Sequence, residues 1–267
     1  MRYFIFKTDH HIVEPGHRLD GVDTATQAKA AVAKVLAEQV PIEWIIDAGD
    51  VGDTVSTPNR GEAEGSVETY EHALSILAPI NDKTLYIPGN HDYPSRMYDV
   101  LGDRWDSNQN GVMVKELSGL TLIGIDLRID SWAVGTMRPE TAQELSKLLP
   151  RCKRCMIFSH YLWRPTDNSF IQKAAHVNNA EEVGAILGKH RDKIIAAFHG
   201  HLHSWWTGTY CGIPIYGCAG SAMGFIIEPG PDPIVITKKS PLGYYLIGVN
   251  DDGSVLVRPR YIETVNA

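Results

Sequence analysis

Side chains that commonly bind metal ions follow five short apolar runs of this chain. Asp9 and His11 come directly after the first run, at 2–8. Because side chains alternate along an extended strand, residues two positions apart are expected on the same side. Later runs are followed in the same way by Asp50 and Asp53, by Asn90 and His91, by His160, and by His201 and His203.

Together these residues offer carboxylates, imidazoles and one amide oxygen, with no thiolate among them. Such a donor set suits Mn, Fe, Co or Zn, and several imidazoles disfavour a site for Mg or Ca alone. In open α/β sheets, ligands bind at the carboxyl ends of the strands. We therefore expect these distant residues to converge in one metal site at that edge.

The elements that must position these residues are strands that alternate with helices. Residue spacing predicts helices at 24–40, 67–78, 138–149 and 179–189, and Pro41 is expected to stop the first. Two long segments, 54–66 and 224–242, are predicted as loops. Three roles stay open for each of them: a substrate lid, a subunit contact or an ordinary surface loop. Nine strands are predicted, at 2–8, 43–48, 84–88, 120–126, 155–159, 194–198, 213–217, 243–249 and 254–258.

Composition narrows the class of protein further. The 267 residues, 43% of them hydrophobic, are expected to form one domain over 1–267. A net charge of −7 argues against binding a long nucleic acid, and we see no apolar run of the roughly 20 residues that a membrane span needs. The first residues predict no export signal, and four cysteines then suit reduced thiols in the cytoplasm.

The ordered set of motifs resembles the calcineurin-like metallophosphoesterase superfamily. The motifs are Asp9-x-His11, Gly49-Asp50-x-x-Asp53, Gly89-Asn90-His91-Asp92, His160 and Gly200-His201-x-His203, and they extend through most of the chain. Ile125-Asp126, the loop at Gly135, the helix from Glu140 to Leu149 and the closing Gly-Tyr-Tyr-Leu-Ile-Gly strand resemble the bacterial class III cyclic-nucleotide phosphodiesterases. The resemblance implies a four-layer α/β/β/α sandwich of two packed mixed sheets.

The resemblance also implies a role for each residue in a site with two divalent or mixed-valence metal ions. Asp50 would bridge them, and His91, oriented by Asp53, would assist the leaving oxygen. Attack by a hydroxide that bridges the metals would open a phosphodiester, a 3′,5′-cyclic nucleotide being favoured. Asn90, His91 and His203 would also contact the substrate. One metal would be held by Asp9, His11 and His203, and the other by Asn90, His160 and His201.

Departures from related branches leave two other functions open. Purple acid phosphatases have Tyr where this chain has Asp53, and the lipid A pathway hydrolases have Arg at the position of His91. Protein serine/threonine phosphatases continue with Arg-Gly where this chain has Thr54-Val55. A phosphomonoesterase or nucleotide phosphatase remains the first alternative. A metal-loaded scaffold or binding protein is the second, disfavoured by the complete residue set. A homodimer is compatible with all of these functions.

Overall fold

The computed structural model describes residues 1–55, 66–129, 133–231, 235–237 and 240–263. The helices in these ranges are α1 (Thr24–Leu36), α2 (Val67–Asn81), α3 (Pro94–Leu101), α4 (Pro139–Leu148), α5 (Ser169–Ala174) and α6 (Ala180–Gly188). The strands are β1 (Arg2–Lys7), β2 (Ile42–Asp47), β3 (Thr84–Tyr86), β4 (Ser107–Gln109), β5 (Val112–Leu117), β6 (Leu120–Ile125), β7 (Cys155–Ser159), β8 (Ile194–His199), β9 (Trp206–Tyr210), β10 (Ile213–Gly217), β11 (Gly224–Ile226), β12 (Val235–Thr237), β13 (Leu242–Val249) and β14 (Val255–Ile262).

Two mixed sheets hold most of these strands. The first has the order β14-β13-β1-β2-β3, in which β1, β2 and β3 run parallel. The second has the order β4-β5-β6-β7-β8-β10-β9, with β6, β7, β8 and β10 parallel. Each sheet therefore presents the carboxyl ends of several neighbouring strands at one edge.

The sheets pack face to face over an aromatic core. Phe6 of β1 lies 5.8 Å from Phe158 and 5.3 Å from Phe198, measured between ring centroids. Ile5, which points to the other face of β1, packs instead in a cluster with residues of α1 and α2. Leu145 of α4 and Leu187 of α6 cover the second sheet in the same way. The predicted four-layer α/β/β/α sandwich is confirmed.

Several predicted elements differ from those observed. The first helix ends at Leu36 rather than 40, because the residue before Pro41 is restricted to extended backbone and the chain must turn ahead of it. The second continues through Pro79 to Asn81. The segment 224–242 is wrongly predicted as a loop, since β11 and β12 pair in a two-stranded sheet. Most of the predicted loop 54–66 lies outside the described residues.

A buried ion pair joins the ends of β1 and β2 beneath the predicted site. The ammonium of Lys7, 2% exposed, contacts the carboxylate of the fully buried Asp47. His10 completes the cluster, with its Nε2 atom 2.6 Å from Lys7 Nζ and 3.1 Å from Asp47 Oδ2. On the other side of its ring, His10 Nδ1 lies 2.5 Å from Ser221 Oγ. These contacts tie together the turns that follow the two strands.

We expect Lys7→Met to lower the free energy of unfolding by about 3–5 kcal/mol, because removing one partner leaves a buried charge unpaired. The matched control is Glu43→Gln, which breaks the more exposed pair with Arg2 and should cost at most about 1 kcal/mol. Urea unfolding of both variants measures the difference. Equal losses would contradict the importance given to the buried pair.

Candidate metal centre

The carboxyl ends of five strands bring all the predicted site residues to one edge of the sandwich. Each of these residues is buried, with at most 9% of its surface exposed. By strand they are Asp9 and His11 after β1, Asp50 and Asp53 after β2, Asn90 and His91 after β3, His160 after β7, and His201 and His203 after β8. The convergence expected from sheet topology is therefore present.

Four of the side chains form a first group of possible metal ligands. Donor atoms of Asp9, His11, Asp50 and His203 lie within 4.8 Å of one another. His203 Nε2 lies 3.1 Å from His11 Nε2 and 3.3 Å from Asp9 Oδ1. This grouping contains the three residues expected at one metal and the residue expected to bridge.

A second group lies next to the first and shares Asp50 with it. Donor atoms of Asp50, His160 and His201 again lie within 4.8 Å of one another. His160 Nε2 lies 2.9 Å from Asn90 Oδ1, 3.2 Å from His201 Nδ1 and 3.4 Å from Asp50 Oδ2. The Asp50 carboxylate thus stands between two sets of donors.

The hydrogen bonds of the four imidazoles fit metal binding. His160 Nδ1 lies 2.7 Å from the Ala48 carbonyl, and His203 Nδ1 lies 3.0 Å from that of Met223. His201 uses Nε2 to reach a carbonyl at 3.1 Å, and His11 uses Nδ1 to reach a carboxylate at 3.0 Å. When each of these nitrogens donates, the other ring nitrogen faces the cluster as a lone pair. Metal-binding histidines are usually held in this way.

The charges of the cluster also fit the binding of cations. Although burial favours neutral carboxyls, His160 and His91 hold the pKa of Asp50 well below its usual range. Burial lowers the pKa of His160, but Asp50 and Asp9 outweigh it and raise that pKa to about 9, so a metal ion bound at Nε2 would take the place of a proton. Burial and the neighbouring His160 lower the pKa of His201 to about 3, which leaves a neutral imidazole. Ionised carboxylates beside imidazoles suit a divalent first-row metal.

Asp53 contacts two histidines rather than one. Its Oδ2 atom lies 3.2 Å from His91 Nδ1 and 3.0 Å from His11 Nδ1. The two contacts lower the pKa of the Asp53 carboxyl against the effect of burial, while Asp50 and Asp53 raise the pKa of His91 to about 9 against the same effect. The family resemblance implies only the contact with His91.

Left-handed backbone conformations concentrate in the cluster. Strand β1 ends at Lys7, before Asp9 and His11. The prediction that strand alternation brings these two side chains together is therefore wrong. Five of the eight positive-φ residues other than glycine among those described belong to the predicted ligands, with φ between 45° and 69°: Asp9, His11, Asp50, His201 and His203. Such conformations cost free energy and are often retained at functional sites.

Two glycines let the turns after β2 and β3 approach each other. Gly49 has φ +92°, and a Cβ atom there would collide with the backbone of Gly89. A Cβ atom on Gly89 would in turn collide with the carboxylate of Asp50. Both positions therefore require glycine, since it alone lacks a Cβ atom.

Asp92 is a positioning residue that belongs to the third motif but has no predicted role. Its fully buried carboxylate accepts hydrogen bonds from the N–H groups of Gly52 at 3.2 Å and Gly89 at 2.9 Å. The Tyr70 hydroxyl donates to the same carboxylate at 3.1 Å. These bonds clamp the turn after β2 to the turn after β3. The only signal in the sequence is the place of Asp92 directly after His91.

A cavity of about 500 Å³ opens above the cluster. Seven of the predicted metal and catalytic residues line it: His11, Asp50, Asp53, Asn90, His91, His201 and His203. The remaining lining, apart from Asp20, is an apolar wall formed by Leu19, Ala133, Phe170, Ala174, Ala175, Met223 and Phe225. Its size falls within the roughly 300–1,000 Å³ common for small-molecule sites.

The sandwich and its His/Asp cluster define an α/β metalloenzyme architecture with room for two ions. The chain belongs to the calcineurin-like phosphoesterase family, whose model matches residues 4–205. This match confirms the resemblance inferred from the motifs. The protein is therefore a metal-dependent phosphoester hydrolase, and the family and the cluster together indicate a dinuclear metal site.

Curated relatives are similar over most of the chain. A probable cyclic nucleotide phosphodiesterase of Rhodopseudomonas palustris is 23% identical over 95% of this chain and 90% of its own length. The 3′,5′-cyclic adenosine monophosphate phosphodiesterase of Haemophilus influenzae is 20% identical over 96% of this chain and 88% of its own.

A solved structure supports the fold. A dimetal phosphatase from Danio rerio is 15% identical, with a TM-score of 0.66 over 99% of both chains. Among the described residues, no helix combines the length and apolar character needed to cross a membrane.

Proposed function

We propose that this protein hydrolyses a phosphodiester of nucleotide size, a 3′,5′-cyclic nucleotide being the favoured substrate and the nucleoside monophosphate the product. The observation that carries the proposal is the cavity of about 500 Å³, which is lined by possible metal ligands and by an apolar wall. Relatives named as cyclic nucleotide phosphodiesterases support the choice of substrate.

The proposed ligand assignment follows the two groups of donor atoms. Asp9, His11 and His203 would hold one ion, and Asn90, His160 and His201 the other, with Asp50 as the bridge. Divalent ions of the Mn, Fe, Zn or Co type polarise phosphate oxygens and lower the pKa of water, which favours hydrolysis. The buried carboxylates and the imidazoles would hold these ions at the cavity, where the phosphate of the ester would bind.

His91 is the proposed general acid. It lines the cavity, and Asp53 contacts its Nδ1 atom at 3.2 Å. With its pKa raised to about 9 by Asp50 and Asp53 against the effect of burial, the imidazole carries a proton at neutral pH. His91 would donate that proton to the oxygen that leaves phosphorus, and Asp53 would keep the ring in place. Asn90, His91 and His203, which line the cavity, would contact the phosphate group.

We further propose that the protein acts in the cytoplasm on a small phosphate ester. The four cysteines, Cys152, Cys155, Cys211 and Cys218, are free thiols, as expected in a reducing compartment. The net charge of −7 supports a small anion as the substrate rather than a long one.

A panel of four substrates tests the proposed reaction in the presence of Mn²⁺. The panel contains cyclic AMP, cyclic GMP, bis-p-nitrophenyl phosphate and p-nitrophenyl phosphate, each measured as kcat/KM. We expect the diesters to be hydrolysed faster than the monoester, with a cyclic nucleotide among the substrates. Hydrolysis of the monoester alone would overturn the proposal in favour of a phosphomonoesterase.

A further inference from the structure

The apolar wall of the cavity is built by segments that carry none of the proposed metal ligands. Phe170 and Ala174 belong to α5, and Phe225 to β11. Leu19 and Met223 pack together beside Phe225. This side of the cavity offers hydrocarbon and aromatic surface, so it suits a part of the substrate other than the phosphate.

The phenyl ring of Phe225 lies in the apolar wall, directly beside a proposed metal ligand. It stacks on the His203 imidazole with a centroid distance of 4.2 Å and an interplanar angle of 10°. The backbone N–H of Phe225 donates to the His203 carbonyl at 3.2 Å, and the Ser204 hydroxyl donates to the Phe225 carbonyl at 2.8 Å. The aromatic wall therefore has a fixed position relative to a proposed metal ligand.

Phe170 lines the same cavity from a short, well-anchored helix. The Ile171 N–H donates to the Asn168 side chain at 3.0 Å, and Asn168 donates to the Glu228 carbonyl at 2.8 Å. Ile171 itself is fully buried, whereas Phe170 is 38% exposed. The helix thus holds a large aromatic side chain in partial contact with water beside the cavity, where a planar group could cover it.

We propose that Phe170 and Phe225 form a subsite for the planar heteroaromatic group of the substrate, which in a nucleotide is the base. The inference rests on the proposed function for the position of the phosphate, and it adds the residues that recognise the rest of the molecule. Stacking of a base on an aromatic side chain contributes about 1–3 kcal/mol. The subsite would therefore discriminate nucleotides from phosphate esters that lack a base.

Calorimetry on the Mn²⁺-loaded protein tests the subsite through binding alone. Adenosine 5′-monophosphate is compared with ribose 5-phosphate, which has the same phosphate and sugar but no base. We expect the nucleotide to bind about 5- to 150-fold more tightly, in line with the free energy of stacking. Phe170→Ala should remove most of this difference, and Phe170→Trp, which keeps an aromatic ring, should retain it.

The control is Tyr261→Ala, which removes another exposed aromatic side chain, from β14 and outside the cavity lining. It should leave the preference for the nucleotide unchanged. Equal binding of the two ligands by the unaltered protein would overturn the subsite. So would a Phe170→Ala variant that keeps the full preference, or tighter binding of octyl phosphate than of the nucleotide, which would indicate an alkyl chain on the wall.

The same measurements separate this inference from the proposed function. A protein that prefers the nucleotide through Phe170 but leaves cyclic AMP intact would retain the subsite and refute the phosphodiesterase. A protein that hydrolyses cyclic AMP but binds both ligands equally would retain the phosphodiesterase and refute the subsite.

Discussion

Asp50→Asn is expected to abolish stable binding of both metal ions and the hydrolytic activity. The Asp50 carboxylate lies between the two groups of donors, 3.6 Å from His11 Nε2 and 3.4 Å from His160 Nε2. An amide has the same shape but no charge, so each ion would lose one anionic ligand. We expect a loss of at least about 10³-fold in kcat/KM, comparable to the loss of a main catalytic element. Metal analysis after gel filtration measures the occupancy.

The matched control for this variant is Asp126→Asn. Asp126 follows β6, a neighbouring strand of the second sheet, and its carboxylate lies 3.7 Å from Arg138. It belongs to neither of the two groups of possible metal ligands described above. The control should keep its metal and its activity. Full occupancy by two ions in Asp50→Asn would refute the bridging role.

His91→Gln is expected to keep both metals and to lower kcat for cyclic AMP by about 10²–10⁴-fold, the range typical of general acid catalysis. The proposed metal ligands are all retained in this variant, because His91 belongs to neither of the two groups that share Asp50; its imidazole lies instead with His11 and Asp53 in a third group. Steady-state kinetics and metal analysis on the same preparation measure the two effects. A matched His190→Gln variant, altered at a histidine outside the cavity lining, should match the unaltered protein.

The leaving group provides a further test of the same role. A p-nitrophenolate ion leaves without a proton, whereas the ribose oxygen of cyclic AMP needs one. The loss caused by His91→Gln should therefore be much smaller with bis-p-nitrophenyl phosphate than with cyclic AMP. Equal losses with both esters would indicate that His91 positions the substrate and does not protonate the leaving oxygen.

The sequence predicts the central strands well because they are buried on both faces. Strand β7, Cys155–Ser159, is entirely buried, and its predicted bounds are those observed. The short strand β4 is fully exposed and has the polar sequence Ser-Asn-Gln, so no hydrophobic pattern marks it. The six-residue helix α5 is too short to show helical periodicity.

The site was predictable in its membership but not in its geometry. The positions of Asp, His and Asn residues directly after the strands predicted which residues converge at the sheet edge. Periodicity gave no sign of the left-handed conformations of Asp9 and Asp50, which depend on contacts between turns. The role of Phe225 likewise arises from stacking on His203, between residues joined by no sequence pattern.

The most direct test of the account is a titration of metal-free protein with Mn²⁺. The signal of free Mn²⁺ measures uptake, and the rate of cyclic AMP hydrolysis is measured in the same samples. Two groups of ligands that share Asp50 predict uptake of two equivalents of Mn²⁺. Hydrolysis should rise as the second metal site is filled. Saturation at one equivalent, or hydrolysis of cyclic AMP by the metal-free protein at the full rate, would contradict the two-metal phosphodiesterase.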